Sequence, residues 1–324
     1  MRRSSLVLFG AVIVAIVLVH REYYDLERSL YANLKRQFLN ASVSGEQEVD
    51  ADTTVAAEER DPLKFKMPKN VDEVHAHQIA ILLYYTRGGE RMKYGDAIQS
   101  IRCYAQRTNF TVISLLHEQL PKQYSATCQM RMLLFKKHCV VAVALRQHPH
   151  IKWMYVLDAD TGVANPNHSL VEYIDPTVDI IFYERFFMWE VAAGNYIAKN
   201  TNFTYDFLMK WAGMYRELPR GGYSSFDNGA LHLHLLRTIF PDQPTIATEC
   251  RTFWRSSIHK YVWCSVHYLR SRRCTQHIRI YRRGHAWVID RHMVRDHVSN
   301  ELFMQHGWKR YYIMKHGWCL SVSS

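Results

Sequence analysis

The stretch Ile151-Lys-Trp-Met-Tyr-Val-Leu-Asp158-Ala-Asp160-Thr-Gly-Val-Ala-Asn-Pro166 decides the fold reading of this 324-residue chain. Trp153 to Leu157 form a short apolar run rich in aromatic and branched side chains. It ends in two carboxylates one residue apart, then in the turn formers Gly162, Asn165 and Pro166. The pattern predicts a buried strand that delivers Asp158 and Asp160 to its C-terminal edge, where open α/β sheets bind ligands. Two neighbouring carboxylates repel each other unless a cation or proton lies between them. The matching cation is a hard one, Mn²⁺ or Mg²⁺, held together with substrate phosphates. An isolated Asp-x-Asp is also common in solvated turns, so the reading needs context.

Upstream, Ile79–Tyr85 reads as a first strand, followed by the polar turn Thr86-Arg87-Gly88-Gly89. Ala97, Ile98, Ile101, Tyr104 and Ala105 repeat at helical spacing, and Thr111–Leu116 reads as a second strand. Met132, Leu133, Phe135, Val140, Val141, Ala144 and Leu145 outline another helix. Strand, helix, strand, helix, strand is the alternation that builds a right-handed parallel sheet, with the Asp-x-Asp strand as its third. Downstream come a helical turn at Leu170–Ile174 and a strand at Val178–Tyr183. An aromatic segment, Glu184-Arg-Phe-Phe-Met-Trp-Glu190, separates these from a strand at Tyr196–Lys199. Phe207, Leu208, Trp211 and Met214 continue as a helix, Pro219-Arg-Gly-Gly222 breaks the chain, and a last helix opens near Phe226, with Ser225 or Asp227 as its cap.

The ends of the chain speak to location. Arg2 and Arg3 precede an apolar run from Leu6 to Val19, closed by His20 and Arg21. The flanks lack a small-x-small cleavage pair, so residues 1–21 read as an uncleaved signal anchor, with a cleaved signal peptide as the alternative. Residues 22–76 read as a stem and acidic linker. Leu26, Leu30, Leu34 and Phe38 line one helical face that offers a surface for homodimerisation, or for packing on the domain or membrane. The acidic stretch from Ala41 to Asp61 buries too little apolar surface to order itself. Four sequons, at Asn40, Asn109, Asn167 and Asn202, and seven cysteines, enough for three disulfides and one spare, favour an oxidising lumen. The expected location is the Golgi or ER membrane, single-pass type II, with the body (77–324) lumenal.

Charge is concentrated late. From Arg251 onward there are 14 Lys and Arg against Asp290, Asp296 and Glu301, an excess that equals the +11 of the whole chain. Such a segment suits nucleic acid, anionic headgroups or a diphosphate. A lumenal setting removes nucleic acid as a partner.

The residues Asp158-Ala-Asp160, Asn165-Pro166, Ala193-Gly194-Asn195, Trp211 and Phe226-Asp-Asn-Gly-Ala-Leu231 resemble, in order, the metal-binding element and following motifs of GT-A glycosyltransferases. Over roughly His77 to Trp308 the chain resembles a nematode-expanded domain family of uncharacterised function. That family is itself similar to yeast α-galactosyltransferases and plant xyloglucan xylosyltransferases. The resemblance implies an α/β GT-A-like domain, a Rossmann-like mixed sheet flanked by helices. It implies transfer of a hexose such as galactose, with retention, from a nucleotide sugar (a UDP-sugar) to a glycan or glycoprotein acceptor. Asp158 and Asp160 would hold Mn²⁺ or Mg²⁺ against the donor diphosphate. A late histidine would be the third metal ligand, His306 in Met-Gln-His306-Gly-Trp, with His285 and His297 as rivals, and Lys309 would meet the phosphates. Asp227 would orient the acceptor or oppose the developing positive charge, and Asn195 would bond a donor hydroxyl. The aromatic segment at 186–190 departs from the transferases, which carry smaller residues there. A catalytically silent glycan-binding or scaffold protein of the same fold stays open as the alternative.

Overall fold

Runs that are apolar at every position become central strands, because a sheet covered by helices on both sides buries both faces of its strands. A computed structural model describes residues 75–89, 94–186, 188–220, 224–290, 303–308 and 319. These all fall within one compact unit, Glu58–Ser324. The signal anchor, the stem and linker up to residue 74, the Gly221-Gly222 break, His297 and Lys309 lie outside the described residues. No helix among the described residues is long and apolar enough to cross a membrane.

The chain order is β1 (Ile79–Tyr85), α1 (Gly95–Thr108), β2 (Thr111–Leu116), α2 (Leu133–Gln147), β3 (Trp153–Leu157), β4 (Thr161–Val163), β5 (Ile180–Tyr183) and β6 (Tyr196–Lys199). It continues with α3 (Asn202–Gly213), α4 (Phe226–Ile239), α5 (Pro244–Trp254), α6 (Ile258–Ser271), β7 (Ile278–Tyr281), β8 (Val288–Asp290) and β9 (Met304–His306). Six strands form one mixed sheet in the order β2-β1-β3-β6-β5-β7. The first three are parallel, as their alternation with helices requires. β6 runs against both β3 and β5, so β5 and β7 again point the same way as β3. The C-terminal ends of β1, β3, β5 and β7 therefore share one edge, and β3 delivers Asp158 there.

Side chains alternate between two cores. Leu82, Met154, Val156 and Phe182 pack with α2, α3 and α4 on one face. Ile81, Leu83, Tyr155 and Leu157 pack with α1, Leu170, Trp287 and Phe303 on the other. Each such fully buried side chain contributes about 1.5–3 kcal/mol of hydrophobic free energy. α1 ends where Asn109 adopts the left-handed conformation (φ 58°) and returns its N–H to Ala105. α3 starts at Thr201, whose hydroxyl accepts from the Thr204 N–H at 3.2 Å.

The cap of α4 differs from expectation. Ser225 holds the cap position but sits at φ 54° and donates its hydroxyl to Glu190 instead, while Ser224 Oγ accepts the Phe226 N–H. Asp227 lies inside the helix, buried. A buried carboxylate partner outcompetes the local cap that sequence patterning suggests.

Three disulfides tie the fold, Cys103–Cys319, Cys128–Cys139 and Cys250–Cys264, and Cys274 stands outside these three bonds. The three described sequon asparagines, Asn109, Asn167 and Asn202, are exposed. Thr204 of the Asn202 sequon is fully buried, and Asn202 Oδ1 accepts from Arg146.

The late basic segment also departs from the simple picture of a free cationic patch. Arg251, Arg272 and Arg279 pair with Glu217, Asp242 and Asp175, and Arg270, Arg273 and Arg283 all pair with Glu184. Acids from the first part of the body meet these arginines in space, so a charge excess that is local in sequence is partly neutralised in the fold.

Candidate functional site

β3 ends at Leu157, and the chain turns at once, Thr161 N–H bonding the Asp158 carbonyl at 2.9 Å. The turn projects Asp158 and Asp160 over the sheet edge. A second, three-stranded sheet, β4-β9-β8, brings in the rest. β4 pairs with β9 so that Thr161 lies opposite His306, and β8 pairs with β9 so that Asp290 does too. Trp308 N–H bonds the Asp160 carbonyl at 2.7 Å. A Cβ on Gly162 would fall 2.2 Å from the Trp308 ring, so only glycine lets β9 close onto β4.

The outcome is a cluster in which one ligand atom each from Asp158, Asp160 and His306 lie within 4.8 Å of one another. His306 Nε2 is 3.3 Å from Asp160 Oδ1 and 3.7 Å from Asp158 Oδ2. Its other nitrogen, Nδ1, is 2.9 Å from Asp290 Oδ1. Arg185 in turn donates to both oxygens of Asp290, at 3.1 and 2.7 Å. A ring nitrogen held by a carboxylate, with the opposite nitrogen facing two further carboxylates, is the arrangement that orients metal-binding histidines. Two carboxylates and one imidazole fit Mn²⁺ or Mg²⁺ by donor hardness and number, with positions left for water or phosphate oxygens. Burial pushes the His306 imidazole down, but Asp160 and Asp290 outweigh it and hold it up to about 10. The carboxylates thus draw positive charge to this point. His285, the described rival, is exposed in the turn after β7 and is not part of the cluster.

Gly194 and Asn195 support the turn. A Cβ on Gly194 would sit 2.0 Å from Asp158 Oδ2, so the carboxylate rests directly on this glycine. Asn195 Oδ1 accepts from the Asp158 N–H at 3.1 Å and from the Thr161 hydroxyl at 2.9 Å, while its Nδ2 faces Tyr183 Oη at 3.4 Å. Both ends of the amide are engaged within the protein, which makes Asn195 a positioning residue for the Asp158 turn. The expected bond to a donor hydroxyl would fall to the second Nδ2 hydrogen of Asn195, which lines the pocket.

Two residues that the sequence reading passed over complete the site. Lys137, buried on α2, donates to Asp158 Oδ1 at 2.8 Å and stands 3.9 Å from Asp227 Oδ2. Burial alone would lower its pKa, but Asp158 and Asp227 raise it, so it stays charged. His138 follows, stacked on Trp211 at 3.4 Å with Nε2 3.4 Å from Asp227 Oδ2. Burial pushes it down to about 4, so it is neutral. Asp227 therefore reaches the site through Lys137, and it lines the same pocket as Asp158, Asn195 and His306. Lys137 and His138 fall among core positions of an apolar helix, and only their partners reveal them.

Of the five non-glycine residues with positive φ among the described residues, Ser225 and Phe226 line this pocket, and Met188 and Trp189 lie in the aromatic segment next to it. Such conformations cost of order 1–3 kcal/mol each and gather at ligand sites. The Ser225–Glu190 hydrogen bond joins the two strained segments. Burial pushes Glu190 up to about 7, against the pull of Ser225 and Arg185. A carboxyl whose folded pKa is raised contributes stability that is fully present below its unfolded pKa and lost as pH rises toward the folded value. Glu190→Gln should therefore flatten the fall in urea midpoint between pH 4.5 and 7.5. A pH dependence unchanged by the substitution would show that Glu190 ionises normally.

None of the curated proteins matches this chain in sequence. In structure it is similar to a glycosyltransferase involved in the glycosylation of the major capsid of PBCV-1, at 12% identity and a TM-score of 0.46, covering 70% of this chain and 93% of that one. It is also similar to A197 from STIV, at 10% identity and a TM-score of 0.25, covering 40% and 68%. Likenesses at that level carry no functional weight. A family model matches residues 101–317, most of the domain including β3, α2, α4 and β9. The chain belongs to the family described as "Protein of unknown function, DUF273".

Proposed function

We propose that the protein is a metal-dependent glycosyltransferase of GT-A type that moves a hexose from a UDP-sugar to a glycan acceptor. The observation that carries this reading is the convergence of Asp158, Asp160 and His306 at the C-terminal edge of the sheet, with the Lys137–Asp227 pair beside them. When bound, a divalent ion would supply Lewis-acid neutralisation of the leaving diphosphate.

The remaining work falls to the chain's own groups. Asp158, Asp160 and His306 would hold the cation, and Asp290 with Arg185 fixes the imidazole so that Nε2 faces the carboxylates. Lys137 stays protonated between Asp158 and Asp227, which keeps two carboxylates compatible in one buried site. Asp227 is the carboxylate set to orient an acceptor hydroxyl or to oppose positive charge developing on the sugar ring. His138, neutral and stacked on Trp211, packs with its Nε2 beside the Asp227 carboxylate. Retention of anomeric configuration rests on the family resemblance alone.

The apolar run at 6–19, the sequons and the three disulfides support a type II placement with this domain in the Golgi or ER lumen. The deciding measurement is nucleotide release from a panel of UDP-sugars with Mn²⁺ and with chelator. Chelator-sensitive UDP release is expected for at least one donor. No release from any donor in the panel would sink the enzyme reading and favour a glycan-binding protein on the same fold.

A further inference from the structure

The aromatic segment that sets this chain apart is closed by an antiparallel bridge between Glu184 and Val191, and it has two sides. Arg185 and Glu190 face the metal cluster through Asp290 and Ser225. Glu184 and Trp189 face the other way, onto α6 and the turn after β7. There Arg270, Arg273 and Arg283 form ion pairs with the one Glu184 carboxylate, at 3.2, 3.1 and 3.6 Å. The guanidinium groups of Arg270 and Arg283 also lie over the Trp189 ring, at 5.9 and 4.7 Å from its centroid. Trp189 leans on Trp263 with ring centroids 4.9 Å apart, and Trp263 is 61% exposed.

This is an unusual surface for a merely structural ion pair. Crowded guanidinium groups repel, and burial with the neighbouring arginines lowers the Arg273 pKa. Arg273 Nη1 is buried without a hydrogen-bond partner among the described residues. Four large apolar side chains are exposed among the described residues. Leu134 and Phe226 line the metal pocket, whereas Phe186 and Trp263 lie on this side. Exposed aromatic rings beside fixed guanidinium forks match a ligand that offers both a flat apolar face and a carboxylate or sulfate. A sugar ring carrying an acid group has that combination.

The geometry points to a subsite for an acidic saccharide, built from Trp189, Trp263, Arg270, Arg273 and Arg283 behind the Glu184–Val191 bridge. In this subsite the Trp263 ring takes the sugar face and the guanidinium groups take its anion. That the saccharide is the acceptor rests on the transferase reading; that it binds here does not.

The test is calorimetric titration of the full-length chain at physiological salt with a hyaluronan hexasaccharide, which carries uronic acids, and with neutral chitohexaose. The acidic probe should bind at least about tenfold tighter than the neutral one. Trp263→Ala and Arg270→Gln should each weaken it about tenfold, the loss that one aromatic or arginine anchor commonly carries. Trp263 is exposed, and Glu184 keeps Arg273 and Arg283 as partners when Arg270 is changed, so the variants are expected to fold, which their melting curves verify. Asp160→Asn should leave the saccharide affinity unchanged, and normal binding by an unaltered chain that turns over no UDP-sugar would overturn the transferase reading alone. Equal affinity for both probes, or affinity untouched by the two α6 variants, would overturn the subsite. So would binding of phosphatidylserine vesicles through Trp263 and Arg270 with no binding of the hexasaccharide.

Discussion

Asp160→Asn should lower Mn²⁺-dependent UDP release by at least about 10³-fold, the scale on which removing a group that stabilises developing charge acts, with little change in melting temperature. Asp160 is the cleaner of the two carboxylates to change. Its side-chain neighbour in the cluster is His306, and its carbonyl bond to Trp308 is untouched by the substitution. Asp158→Asn should abolish turnover as well, but at a further cost in stability. It removes the 2.8 Å partner of the buried Lys137 ammonium. The two variants thus separate chemistry from folding. Turnover in Asp160→Asn close to that of the unaltered chain would remove the metal cluster from the mechanism.

The second large effect is expected at Lys137. Its side chain is 4% exposed and bridges Asp158 and Asp227. Lys137→Met removes the charge but keeps most of the volume, leaving Asp227 and Asp158 facing each other without compensation. Breaking a buried pair in this way costs about 3–5 kcal/mol, to be read from urea unfolding in the presence of chelator. Mn²⁺ should recover more stability in the variant than in the parent chain. A cluster that has lost one positive charge attracts a cation more strongly, and ligand binding stabilises in proportion to affinity. A variant as stable as the parent, or one that Mn²⁺ stabilises less, would show that Lys137 is not coupled to the cation site.

Much of the scaffold was legible from the chain alone, for definite reasons. β1 and β3 are covered on both faces, so every position had to be apolar, and their limits, Ile79–Tyr85 and Trp153–Leu157, appear as uninterrupted runs. The spacing of strand and helix signals implied parallel pairing of the first three strands, which the register confirms. The reversal of β6 carried no such signal, because direction depends on the connection and not on local pattern. Within the site, Asp158 and Asp160 were visible because they interrupt an apolar run. Lys137 and His138 were not, because one charged residue in a helix reads as an exposed position until its partner carboxylates are located. Asp290 was hidden among the basic residues of the late segment, though in the fold it holds both His306 and Arg185. The cap expected of Ser225 failed for a similar reason, since its hydroxyl is taken by a residue distant in sequence.

The pairing of β4 with β9 joins the middle of the chain to a segment near its end, and Cys103–Cys319 makes a covalent closure of still longer span, 216 residues. Closing so long a loop is entropically costly and slow compared with forming the α2–β3 region. His306 should accordingly be among the last groups to reach its place during folding. The sheet, its helices and the Asp158–Lys137–Asp227 contacts can form before β9 arrives, but His306 cannot join them until it does. On the proposed reading, cation affinity would belong to the finished and oxidised chain, and a nascent or reduced intermediate would carry the carboxylates without holding the ion.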